Sequence, residues 1–122
     1  MGENKVILTL KQELLAAENV LCTEYSFDLA EPNYIRCLEI IKNAPELQPQ
    51  FEELLILLFQ ENKVSSEPIA YLMHTLKWPK IYEWAEQKLR NDPNPIAIGA
   101  PYENILKAFD NEWENREFYN SI

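Results

Sequence analysis

Ser65-Ser66-Glu67-Pro68-Ile69-Ala70-Tyr71-Leu72-Met73-His74-Thr75-Leu76-Lys77-Trp78-Pro79 sets the fold class of this chain. Two hydroxyls able to cap a helix precede a proline suited to its first turn. Ile69, Leu72, Met73 and Leu76 then stand at i, i+3, i+4 and i+7, which puts all of them on one face of an α-helix. Pro79 disfavours helical geometry in the residue before it, so this helix, predicted over 67–77, ends at about Lys77.

The same period extends to both sides. Upstream, Ile7, Leu10, Leu14, Ala17 and Leu21 alternate three and four apart and predict a helix over 4–22. Residues 23–31 lose the period and read as a loop. Pro32 suits a first turn, where its missing N–H matters little, so a second helix is expected over 32–43 with Ile35, Leu38 and Ile41 or Lys42 inward. Pro49 opens a third over 49–62, with Glu52 and Glu53 where the positive dipole end favours them. Its body, Leu54-Leu55-Ile56-Leu57-Leu58-Phe59, is apolar nearly all round, which places it mid-domain with Leu57 and Leu72 both buried.

Downstream, Ile81, Trp84, Ala85 and Leu89 predict a fifth helix over 79–90. Asn91-Asp92-Pro93-Asn94-Pro95 is the strongest breaker, and 91–100 is expected as a connecting loop. Pro101 opens a last helix over 101–117, with Tyr102, Ile105, Leu106, Phe109 and Trp113 on one face. No segment sustains the alternation that a sheet needs. The expectation is an all-α single domain over 1–122, built of about six helices.

Composition agrees. A chain of 122 residues, 47% hydrophobic and 25% charged, fits one core and argues against disorder. Its two glycines, Gly2 and Gly99, cannot build a phosphate loop, a dinucleotide fingerprint or a nucleophile elbow. A net charge of −9 opposes nucleic-acid binding, which draws affinity from a basic surface. The longest apolar run, Leu54 to Phe59, falls far short of the roughly 20 residues that cross a bilayer. Val6 stands where a myristoylation signal wants Ser or Thr, and no secretory h-region follows the N-terminus. A cytoplasmic chain with neither nucleic acid nor membrane as partner is expected. Cys22 and Cys37 lie in apolar sequence and are expected as small buried side chains, without a bridge.

An internal echo divides the architecture into two forms. Pro32, Pro68 and Pro101 are 36 and 33 residues apart, and Ile35, Leu38, Pro45 and Leu47 match Ile69, Leu72, Pro79 and Ile81 at an offset of 34. That is the length of a helix–turn–helix repeat. No consensus repeat motif accompanies it, and an antiparallel helical bundle accounts for the same facts as a short HEAT/TPR-like stack of helix pairs.

Chemistry is thinly represented. His74, the only histidine, flanks an apolar stripe and reads as a boundary side chain with a backbone or water partner. No His-x-x-His, Cys-x-x-Cys or His-Glu-x-x-His spacing offers a metal site, and a di-iron bundle needs a second histidine. Glu52-Glu53 and Glu112 with Glu114 point to different sides of a helix, while Glu83 and Glu86 sit between Lys80 and Lys88 as a solvated face. Nothing marks Cys37 as an activated nucleophile. The sequence therefore predicts no catalytic, cofactor or metal site.

Charge says more. Residues 23–62 hold eight acidic side chains against two basic ones, and 103–122 hold five against two. Asp110, Glu114, Glu117, Phe118 and Tyr119 interleave acids with aromatics and are the expected partner-binding set, while Trp113 is expected to face the fold. The function that follows is an acidic helical protein-interaction domain without chemistry of its own. Its concrete form is an immunity- or antitoxin-type protein, or an adaptor, covering a basic surface on another protein. The alternatives are a small hydrolase or lyase using His74 with a carboxylate, and a homo-oligomeric module, a homo-dimer for instance, built on the stripe of the first helix.

Overall fold

The computed structural model describes residues 2–24, 26–91, 95–110 and 113–119, except for the side chains of 2–4, 95–100 and Glu114. Among these residues the secondary structure is entirely helical: α1 (Gly2–Glu24), α2 (Phe27–Lys42), α3 (Gln48–Gln60), α4 (Ser66–Leu76), α5 (Pro79–Asn91) and α6 (Pro95–Lys107). Two 3₁₀ turns, Pro45–Leu47 and Glu114–Phe118, complete it. No described helix is long and apolar enough to cross a membrane.

The centre of the molecule is α4. Every residue from Glu67 to Met73 is buried, and the helix packs against α1, α2 and α6. Pro68 to Leu76 carries no formal charge apart from the titratable His74, so no side of this helix requires water. The sequence reading gives that central place to α3, and the structure corrects it. Phe51, Leu54, Leu55 and Leu58 are buried, but Leu57 is 51% exposed on the outer face. The apolar run of α3 is wider than the one face it can bury, and the excess faces solvent.

The ends of α3 and α4 follow local chemistry. Asn62 adopts φ 59° and donates its N–H to the Phe59 carbonyl, while Lys63 donates to Leu58. These bonds close the last turn of α3, and asparagine tolerates the left-handed geometry they need. Lys77 ends α4 in the same region at φ 53°, donating to Met73, and Pro79 then starts α5.

Two predicted boundaries are overturned. The loop assigned to 23–31 is largely helix: α2 starts at Phe27 and Pro32 lies inside it. Its inward stripe is Ala30, Tyr34, Cys37 and Ile41, with Ile35 and Leu38 only half-buried. The loop assigned to 91–100 is also partly helix, because α6 starts at Pro95 and contains Pro101. That helix stops at Lys107, well before 117, and Trp113 belongs to the segment that follows it. A proline removes only one helical bond, and Pro32 and Pro101 are both exposed, so each helix runs through its proline with the ring toward solvent. Of the remainder of the predicted loop, 92–94 lie outside the described residues.

With Pro32 and Pro101 inside helices, the 34-residue echo does not mark repeated helix starts. In a repeat stack each unit touches only its neighbours. Here the contacts α4 makes with α1, α2 and α6, and α3 with α1 and α5, do run between consecutive helix pairs, but the segment after α6 returns to the first pair, placing Phe118 on Phe27 and Tyr119 on Tyr34 of α2. The architecture is a helical bundle. Between its first two helices the Glu13 carboxylate accepts from Asn33 Nδ2 at 3.1 Å and from Arg36 Nε at 3.0 Å, fixing their register.

Candidate functional site

The segment after α6 folds back over α4 and builds the most polar part of the interior. Glu67, in the first turn of α4, is 4% exposed. Its Oε1 accepts from Asn104 Nδ2 at 3.1 Å and Asn115 Nδ2 at 2.9 Å, and its Oε2 accepts from the Tyr119 hydroxyl at 2.6 Å. Trp113 Nε1 donates to Asn104 Oδ1 at 2.9 Å, which ties the returning segment to α6. A buried carboxylate supplied with several donors is satisfied in the way a folded interior demands.

Around it lies an aromatic cluster. The Tyr34, Tyr71 and Tyr119 rings sit 4.8 to 6.0 Å apart, and Trp113 stacks on Tyr119 at 5.7 Å. The Tyr71 hydroxyl donates to Glu31 Oε2 at 2.8 Å. Burial pushes all three phenols well above their ordinary value; Glu67 adds to this for Tyr34 and Tyr119, and Glu31 for Tyr71. Burial likewise pushes the Cys37 thiol up to about 12, with the Glu13 charge acting in the same direction.

A cleft of about 520 Å³ opens beside Glu67, where the end of α1, the starts of α2 and α4 and the middle of α6 meet. Leu21, Phe27 and Pro101 supply apolar lining; Ser65, Ser66, Asn104 and Asn115 supply polar lining, with Glu67 as its carboxylate. Ser65 Oγ donates to Glu18 Oε1 at 2.9 Å, so a second carboxylate stands next to the cleft.

The expected docking residues separate. Tyr119 is 5% exposed with its hydroxyl on Glu67, so it is an interior residue and leaves the docking set. Phe118 is 53% exposed, its ring 5.0 Å from Phe27, and Glu117 is exposed beside it. Asp110 is exposed just past α6, next to Phe109, whose carbonyl accepts from Lys77 Nζ at 2.7 Å. Glu114 has its side chain outside the described residues. Trp113, 1% exposed, faces the fold as expected. The sequence reading missed Asp28 and Leu29, because it placed them in a loop; Leu29 is 52% exposed and Asp28 is exposed next to it.

His74 Nδ1 lies 2.8 Å from the Ala108 carbonyl, an acceptor, so that nitrogen carries the proton, and the ring packs 5.3 Å from Trp113. Cys37 is buried, but Cys22 is exposed, which corrects the expectation for it. Slight desolvation and the neighbouring Glu18, its hydrogen-bond partner at 3.6 Å, hold the Cys22 thiol above its ordinary value. Leu10, Leu14 and Ala17, the stripe on which a homo-oligomer was to be built, are fully buried within the bundle. Among the described residues no group of three or more His, Cys, Asp or Glu could hold a metal ion. No protein family, curated protein or solved structure matches this chain at a significant level.

Proposed function

We propose that this chain is a non-catalytic protein-interaction domain that docks a basic protein surface, as an immunity- or antitoxin-type protein or an adaptor does. The docking face is the junction of the start of α2 with the C-terminal 3₁₀ turn. One observation carries the reading: Phe118 and Leu29 are both about half exposed, and the Phe27–Phe118 contact brings their neighbouring acids, Asp28 and Glu117, to the same junction. An exposed aromatic beside acids suits an interface, where the ring anchors and the charges steer, although Arg116 stands in the same turn. The net charge of −9 supports the same polarity of partner. His74, donating to a backbone carbonyl and packed on Trp113, has a structural task that needs no catalytic role.

Affinity capture from the native cell, with quantitative mass spectrometry, tests this reading. Wild-type protein is compared with a variant carrying Asp28→Asn, Glu117→Gln and Phe118→Ala, all exposed positions. A basic protein retained by the wild type and lost with the variant and with added salt is expected. Equal recovery by both proteins contradicts the docking face.

A further inference from the structure

We propose that the cleft beside Glu67 receives a lysine side chain of the basic partner; this rests on the docking face described above and places its anchor. Phe27 joins the two features, because its ring lines the cleft and also supports the exposed Phe118. A partner held on Phe118 therefore lies next to the cleft opening.

Among the described residues no ion pair reaches the Glu67 carboxylate. Every hydrogen bond shown on Glu67 comes from a neutral donor, an asparagine amide or a phenol. A buried carboxylate without an ion pair leaves a field in the cleft that an incoming cation relieves. Glu18, held by Ser65 next to the cleft, adds to that field.

Geometry selects lysine over arginine. A carboxylate offers about four acceptor positions, and three at Glu67 are filled, so about one remains. One position suits the compact point charge of an ammonium, whereas a guanidinium fork needs two in parallel. The aliphatic stem of the lysine lies against Leu21, Phe27 and Pro101, which form the apolar part of the lining.

The test is a nuclear magnetic resonance titration of the full chain with acetyl-Gly-Lys-Gly-amide, following the side-chain amides of Asn104 and Asn115. The control peptide carries Nε-acetyl-lysine in place of lysine. Because Glu67→Gln disturbs the buried network and can fail to fold, the blocking variant is Leu21→Lys, which tethers an ammonium at the half-buried edge of the cleft. Saturable shifts are expected with the lysine peptide, at least about tenfold weaker binding of the acetylated one, and loss of binding in the folded Leu21→Lys protein. Shifts that do not saturate, that are equal for the two peptides, or that persist in Leu21→Lys overturn the proposal. The titration needs no partner, so its failure removes the cleft alone; the docking face is decided separately by capture.

Discussion

Tyr119 and Phe118 are neighbours with opposite tasks, and substitution separates them. Tyr119→Phe removes one donor from the buried Glu67 carboxylate and is expected to lower stability by about 1–3 kcal/mol. Leu72, fully buried in α4, and Leu57, half exposed on α3, form a second pair. Leu72→Ala is expected to cost roughly 2–5 kcal/mol through transfer and cavity terms, and Leu57→Ala about 0.5 kcal/mol or less. Denaturant unfolding of the variants checks all of these; equal losses at 57 and 72 contradict the placement of the core. The phenol environment adds a pH dependence. Tyr34, Tyr71 and Tyr119 hold their protons more tightly folded than unfolded, so their contribution is complete below the ordinary phenol value of 10.0. It is lost as pH rises above that value, because the unfolded chain then releases protons the folded one keeps. Ionisation of these three phenols, followed by the ring resonances of each, should coincide with loss of helicity in a single alkaline transition. Sequence alone does not distinguish Tyr119 from Phe118, since both are aromatics beside acids. What separates them is Glu67, 52 positions away from Tyr119.

At the level of elements, α4 and α5 were legible because period and prolines agree there, although Ser65, at the N-cap of α4, spends its hydroxyl on Glu18 and does not cap the helix. The starts of α2 and α6 were not. Pro32 and Pro101 are good first-turn residues, and nothing local reveals that a helix runs on through them. The inner stripe of α2 was displaced for the same reason: Tyr34 and Cys37 are less apolar than Ile35 and Leu38, yet the returning C-terminal segment and α1 bury them. The cost of Pro32 is measurable. An interior proline is unfavourable by about 3 kcal/mol, while its replacement by alanine loosens the unfolded chain by about 1 kcal/mol at most. Pro32→Ala is therefore expected to raise stability, read as a higher melting temperature. A lower one contradicts the continuous α2 helix.

For the whole molecule, the bundle and its acidity were open to sequence reading, since both rest on composition and periodicity. The Glu67 cleft was not, because its lining comes from helices far apart in the chain and is completed by Asn115 of the returning segment. The central claim is that the acidic face steers a basic protein onto Phe118. Exposed charges act over about a Debye length, roughly 8 Å at physiological salt, so they belong to the encounter more than to the fold. The most direct measurement is the association rate with the captured protein across a salt series, for wild type and for Asp28→Asn with Glu117→Gln. The account predicts a wild-type rate that falls steeply with salt and a variant rate that is slower and less salt-dependent, with a stability loss of no more than about 1 kcal/mol from Asp28 in the first turn of α2. Rates that coincide at every salt concentration contradict it.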